Sequence, residues 1–366
     1  MTASSQPCCQ TEHVKFTLFL NPYGSLWLDS ISEKKRLAHV ADLAGVSLST
    51  VDRVLNERGS VSDAKRRKVL SAARSLGLRR LLPSPVHGLL RFDLLMVEST
   101  TDHYRRVAEA FTRHAQLFRS RLVLQRQTWD ERDPEQLLEF IATPRTARQG
   151  LIVVAHDLPA IRSALQAQIN AGVPVVLLTS RLSGLRGATY IGIDNHVAGR
   201  SAGRLLGQWA LPAAGRVLLI TNSLLYHAHQ ERVAGFLQVL RERAPGLHIS
   251  TPVECHDDDA LTAQAVHDAL ADGQPLAAIY NTGSGSVGIR QALLDHGVRP
   301  VWFTHEASQQ HADFLREGLL SLVLDQDPEC QAEAAIQHLL YANGDLEGPG
   351  QMSPQLRIVI DETLPV

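Results

Sequence analysis

Residues 38–56 read AHVADLAGVSLSTVDRVLN, two short apolar-periodic stretches separated by a glycine. Val40, Leu43 and Ala44 fall at i, i+3 and i+4. Val46 lies in the break, and Val51, Val54 and Leu55 repeat the spacing. Each stretch therefore predicts a helix with one apolar stripe turned towards the other. Gly45 stands where the chain leaves the first helix, a place suited to a residue without Cβ, and Ser47 can accept from the first free amides of the second. This is a helix-turn-helix, which aims its second helix rigidly. That helix turns outward Leu48, Ser49, Asp52, Arg53 and Asn56, and an Arg there can bond guanine bidentately in the major groove. A third helix is predicted from Ser62 as N-cap, with Val69, Leu70, Ala73 and Leu76 apolar and Gly77 just past its end.

Charge points the same way. From Glu33 to Leu82 twelve bases stand against five acids, a net +7, while the whole 366-residue chain carries −2, leaving −9 elsewhere. A phosphate-binding head on an acidic body has this asymmetry. The plainer alternative is a small helical bundle whose solvated basic faces bind protein.

Beyond residue 90 the chain alternates strand-length apolar runs with helical stretches. The runs are RFDLLMVES, LVLQRQTW, GLIVVAH, VPVVLLTS, ATYIGID, RVLLITN, HISTPVEC, LAAIYNT, PVWFTHE, SLVLDQD and LRIVIDE. This is a βαβ series, and near-continuous apolar strands mean that both sheet faces are covered, so a doubly wound parallel sheet is expected. Eleven strands exceed one such sheet; two lobes of five or six are expected, with a binding crevice at the carboxyl ends of the strands. No run of 18 apolar residues predicts a membrane span. Cys8, Cys9, Cys255 and Cys330 form neither a disulfide framework nor a metal spacing, and residues 1–32 lack the basic start and cleavage site of a secretory signal, so a reduced, cytoplasmic protein is expected. The predicted organisation is a disordered tail over 1–32, a helix-turn-helix domain over 33–80, a hinge over 81–90 and an effector and dimerisation domain over 91–366.

The stretch AHVADLAGVSLSTVDRVLNERGSVSDAKRRKVLSAARSLGL resembles the DNA-binding head of the lactose-repressor (LacI/GalR) family, whose pattern is near VAxxAGVSxxTVSRVLN followed by VSxxTRxxVxxAxxxLGY. The resemblance implies a sequence-specific transcriptional regulator, a repressor, bound as a homodimer or tetramer to a near-palindromic operator. It places Ser47, Leu48, Ser49, Thr50, Arg53 and Asn56 at the DNA, with Leu81 or Leu82 of the hinge as a minor-groove wedge. Asp52 departs from the family's Ser and would repel phosphates unless paired. The same resemblance implies an α/β body like the periplasmic sugar-binding proteins, two lobes joined by three crossings. An effector, a sugar or polyol, would lie between them and act allosterically. Carried over by position, the ligand-facing candidates are Arg181, Arg232, Asn281, Glu306 and Gln326, with Tyr104 or Trp129 as a stacking platform. Carboxylates, amides and Arg forks suit vicinal hydroxyls, which donate and accept together. Two departures, Ser180 where relatives carry Asp and His305 where they carry an aromatic or apolar residue, point away from an ordinary hexose.

Two other readings compete. Gly283, Gly285 and Gly288 form G-x-G-x-x-G directly after the strand LAAIYN, with Glu306 about twenty residues on, as a dinucleotide fingerprint requires, so an NADH-sensing regulator is the runner-up. Alternatively the body is a ligand-binding module whose head no longer binds DNA. His227, His229 and His256 with Asp257, Asp258 and Asp259 lack metal-ligand spacing and read as solvated loop residues. No G-x-S-x-G elbow or activated Cys points to an enzyme. No cofactor and no metal are expected.

Overall fold

The computed structural model describes residues 36–56, 58, 61–76, 89–209, 211, 215–271, 273–348, 350 and 352–364. The proposed tail over 1–32, Gly77 and the hinge candidates Leu81 and Leu82 lie outside these residues. The chain divides into two compact units, Met1–Pro85 and Val86–Val366.

In the first unit, α1 (36–44), α2 (Leu48–Leu55) and α3 (Asp63–Ser75) enclose a small core of Val40, Ala41, Ala44, Val51, Val54, Leu55, Val69, Leu70, Ala72 and Ala73. The period is helical as expected, but the frame on α1 is Leu37, Val40, Ala41 and Ala44. Leu43 is 60% exposed and Leu76 is exposed too, so both are corrections to the predicted stripes. Ala41 and Ala72 are buried beside the larger Val and Leu side chains. Gly45 turns with φ 64°, and the Val46 amide closes the turn on Ala41 O at 3.0 Å.

The second unit has two lobes. Lobe 1 is a wholly parallel sheet of β1 (Leu90–Val97), β2 (Leu122–Trp129), β3 (Gly150–Val153), β4 (Val175–Leu178) and β5 (Thr189–Ile191) in the order β2-β1-β3-β4-β5. Helices α4 (Asp102–Leu117), α5 (Pro134–Ala142) and α6 (Pro159–Asn170) connect these strands. The chain then crosses to lobe 2, where α7 (Asn195–Leu206) precedes β6 (Arg216–Thr221), α8 (His227–Arg243), β7 (His248–Ile249), β8 (Val253–Glu254), α9 (Asp259–Leu270), β9 (Leu276–Asn281), α10 (Ser286–His296), β10 (Val301–His305), α11 (Gln309–Arg316) and β11 (Leu322–Asp325). A second crossing leads to α12 (Pro328–Ala342), whose Ala335, Ile336, Leu339 and Leu340 join the lobe 1 core, and a third returns to β12 (Arg357–Val359).

The lobe 2 sheet runs β12-β11-β10-β9-β6-β7, with β8 also on β6, and apolar clusters cover both its faces. Two features differ from the expected all-parallel strands. β12 is antiparallel to β11, because it returns from lobe 1 along the sheet edge rather than through a crossover helix. The run HISTPVEC splits into β7 and β8, since Pro252 cannot donate to a ladder; Ser250 Oγ accepts from the Leu219 amide at 3.0 Å between the two pieces.

Helices α7 and α8 pack unusually close. A Cβ on Gly199 would lie 2.0 Å from Arg232 O, one on Gly235 would lie 2.2 Å from His196 O, and one on Gly203 would lie 2.8 Å from Phe236 O. Glycines here set the depth at which α8, and with it Arg232, enters the space between the lobes.

Candidate effector cleft and DNA-reading face

On the head, α2 exposes Leu48 (49%), Ser49, Asp52 and Arg53, while Thr50 and Asn56 are half-buried. Ser47 caps the helix: its Oγ accepts from the Thr50 amide at 3.3 Å and lies 2.9 Å from the hydroxyls of both Ser49 and Thr50. Asn56 Nδ2 donates to Asp52 Oδ1 at 2.6 Å, so an amide, not a base, holds the departing acid.

The carboxyl ends of β4, β6, β9, β10 and β11 open on one cleft between the lobes, with about 480 Å³ of atom-free space, part of it open to solvent. His103, Tyr104, Val154, Thr179 and Ser180 line it from lobe 1. Asn222, Tyr226, His229, Arg232, Asp257, Thr282, His305 and Glu306 line it from lobe 2, and Gln326 from a crossing.

Arg232 is buried (3% exposed) and held in place from two sides. Its Nε donates to Asn195 Oδ1 and its Nη1 to Thr282 O, both at 2.8 Å, while Nη2 has no partner. Asn195 in turn donates to Thr179 O at 3.2 Å, so the guanidinium is tied to both lobes. Thr282 Oγ1 donates to Thr221 Oγ1 at 2.8 Å, so it accepts from His229 Nδ1 at 2.9 Å. That tautomer leaves His229 Nε2 as an acceptor.

Glu306 has φ 72°, and its carboxylate meets Gln326 Nε2, with His103 Nδ1 at 3.1 Å and Arg106 Nη1 at 3.6 Å. Burial pushes its pKa up, but the charge and hydrogen bond of His103, the Gln326 amide and Arg106 outweigh it and hold the carboxyl well below the usual range. Arg106 also donates to Asp325 Oδ1 at 2.7 Å, a second link between the lobes. Among the described residues, the five non-glycine positive φ values are at Thr179, His256, Asp257, Glu306 and Asp327, all on or beside the cleft. Strain of about 1–3 kcal/mol each therefore falls just beyond strand ends near the cleft, and Thr179, Asp257 and Glu306 line it.

Of the predicted ligand residues, Arg232, Glu306 and Gln326 line the cleft together with Tyr104. Asn281 and Arg181 do not. Asn281 is fully buried, and its amide closes the β9–α10 loop, donating to Ser284 O at 2.8 Å and accepting from the Gly283 amide at 3.1 Å. Arg181 is exposed and stacks on the Tyr190 ring at 3.9 Å, because the left-handed turn at Thr179 sends Ser180 inward in its place. Trp129 is core, donating to Val154 O at 3.3 Å. His229 and Asp257, read as solvated loop residues, line the cleft instead. For His229 the signal was its i, i+3 relation to Arg232 on one helix face. Nothing in the sequence pointed to His103 or Asn222.

The glycine motif is filled. The Ser284 amide donates to Asp257 Oδ1 at 2.7 Å, and the Gly288 amide to Asp259 Oδ1 at 3.1 Å. A Cβ on Gly288 would sit 1.7 Å from Asp259 O. The glycines thus serve close packing of α9 on α10, and carboxylates hold amides that a pyrophosphate would require, which removes the physical basis of the NADH reading.

Burial first, and the charge of Arg232 second, push the pKa of His229 and His305 well below the usual value; burial also lowers that of His311. A depressed histidine pKa contributes stability that is complete above the unfolded value of about 6.5 and is lost as pH falls below it, at up to about 1.4 kcal/mol per pH unit for each group. Glu306 adds the same sign of loss at more acidic pH, below the unfolded carboxylate range. Melting temperature should therefore fall steadily on acidification from pH 7 to 5, and less steeply in a His305→Phe variant. A flat profile over that window would contradict these neutral histidines.

A helix-turn-helix unit followed by a two-lobed, hinged α/β body defines the class of DNA-binding regulators that carry their own ligand-binding domain. Residues 36–80 match the lacI family of bacterial regulatory proteins, and residues 94–345 match the periplasmic binding protein domain. The ribose operon repressor of Haemophilus influenzae is 25% identical over 271 residues, spanning 71% of this chain and 77% of that protein. Among solved structures, GanP, a glucose-galactose binding protein from Geobacillus stearothermophilus, superposes with a TM-score of 0.68 at 19% identity, covering 76% of this chain and all of that one. A carbohydrate transporter protein from Acidothermus cellulolyticus, solved with myo-inositol, superposes at 0.64 and 20% identity, covering 75% and 96%. The chain thus joins a lacI-family helix-turn-helix domain to a domain of the periplasmic binding protein family. It is a DNA-binding transcriptional regulator, and the lacI family is one of regulators rather than enzymes. Among the described residues no helix is long and apolar enough to cross a membrane.

Proposed function

We propose that the protein is a cytoplasmic, homodimeric repressor whose operator affinity is set by a sugar or polyol bound between the lobes. The observation that carries this reading is the rim of unpartnered, buried polar atoms on the cleft: Asn222 Oδ1, Arg232 Nη2, His305 Nδ1 and Gln326 Oε1. Buried polar atoms of both signs need partners, and a ring of vicinal hydroxyls offers donors and acceptors at once. Tyr104 supplies an apolar face for the ring. The ribose operon repressor and the sugar-binding proteins to which the chain is similar agree with this class of ligand.

Leu48, Ser49 and Arg53 would read bases, with Ser47, Thr50 and Asn56 supporting backbone contacts. Two heads would read two half-sites, since one head of this size buries too little surface for genomic specificity. Effector binding would change the angle between the lobes and couple to DNA by about 1–3 kcal/mol. The test is a footprint on DNA upstream of the protein's own gene at physiological salt, with and without a panel of sugars and polyols. A protected near-palindrome that responds to one compound is expected; no protection by folded protein would sink the reading. Arg53→Ala should weaken binding by about 1–3 kcal/mol and relax specificity at one base pair of each half-site.

A further inference from the structure

Asp257 stands where the cleft meets two neighbouring cavities, and it lines all three. It follows His256 in a pair of left-handed residues, φ 50° and 58°, a conformation that costs energy for any side chain. The strained pair turns the carboxylate back onto the loop that leads into α10. There Oδ1 accepts the Ser284 amide at 2.7 Å, and a Cβ on Gly283 would lie only 2.6 Å from that oxygen. Backbone amides cradled by glycines at the start of an α/β helix, beside a buried guanidinium, are the arrangement that holds a phosphate. The guanidinium is present: Arg232 Nη2 is buried on the same cleft without a partner, as is Asn222 Oδ1 next to Gly283. The chain fills this nest with an anion of its own.

We infer that Asp257 is a specificity-determining residue that makes the cleft take uncharged polyhydroxy compounds and reject their phosphate esters. The inference rests on the cleft being the effector site. A phosphate brought to the nest meets a fixed carboxylate within contact distance, and two anions that close repel. A second carboxylate, Glu306, lines the same space. The opening beside Asp257 repeats the sign, with Glu98, Asp130, Glu131 and Asp258 against Arg132, so an anion is disfavoured on approach as well as on arrival. A neutral polyol meets no such penalty, and it can donate to both carboxylates and accept from Arg232.

The test is calorimetric titration of the full chain with inorganic phosphate, and separately with D-ribose and D-ribose 5-phosphate. Asp257→Asn keeps the side-chain shape, retains an oxygen for the Ser284 amide and suits a left-handed backbone, so the fold should survive. Asp257→Ser serves as a second uncharged variant, and thermal melts confirm that each is folded. Both variants should bind phosphate about tenfold or more tightly than the wild type, which should show no measurable binding in the millimolar range. Equal phosphate affinity in the wild type and both variants would overturn the inference, as would a wild-type preference for ribose 5-phosphate over ribose. Failure of every neutral sugar and polyol to bind the wild type would instead count against the effector reading, while the phosphate comparison still decides the role of Asp257.

Discussion

Arg232→Ala should abolish the effector response. The guanidinium does two things at once: Nη2 is offered to the cleft, while Nε and Nη1 hold Asn195 of the crossing and Thr282 of lobe 2 at 2.8 Å each. Removing it deletes a charge-assisted hydrogen bond to ligand, worth about 1.5–3 kcal/mol, and misplaces Thr282 and His229 as well, so effector affinity should fall by about a hundredfold or more. It also strands two buried acceptors, at about 1–3 kcal/mol each. The melting temperature of the body should therefore drop by several degrees, at about 2–4 °C per kcal/mol for a domain of this size. Isothermal titration with the compound found by footprinting reads the first effect, and calorimetric melting the second. DNA binding without effector should persist, because the head has its own core. Retention of effector affinity within a few-fold would show that the ligand does not engage Arg232.

Gly199→Ala should be among the most damaging single-methyl changes in the body, its new Cβ meeting backbone more closely than at any described glycine but Gly288. In an exposed helix the substitution would gain about 1 kcal/mol from propensity. Here the added Cβ would lie 2.0 Å from the carbonyl oxygen of Arg232, and backbone cannot rotate out of the way as a side chain can. Helices α7 and α8 must separate, at an overpacking cost of about 3 kcal/mol or more, so the clash wins over propensity. Gly235→Ala, at 2.2 Å from His196 O, should behave alike, and Gly203→Ala, at 2.8 Å from Phe236 O, should cost less. Urea denaturation followed by tryptophan fluorescence reads the order, and the two severe variants should lose effector binding along with stability, since α8 carries Arg232. A neutral or stabilising Gly199→Ala would refute the close packing described here.

Much of this protein was determined by its sequence alone. The head follows from local rules, a helical apolar period, a Ser cap and a glycine turn, each acting within a few residues. The doubly wound lobes follow from apolar strand runs too continuous for a sheet with one wet face. Arg232, Glu306 and Gln326, which the resemblance to the sugar-binding family singles out, do line the cleft. Only the tertiary structure decided which neighbours of those strand ends face the cleft. One left-handed residue at Thr179 exchanged Arg181 for Ser180, and a strained pair at His256 and Asp257 brought in a carboxylate from a segment that reads as solvated loop. Asn281 is buried off the cleft, its amide closing the loop that follows β9. His103 met Glu306 only when two lobes, distant in sequence, closed on each other. The physical reason is one of range: caps, periods and strand composition act over a few residues, whereas a cleft is made from side chains far apart in the chain, aimed by single backbone dihedrals and by how closely two helices can approach.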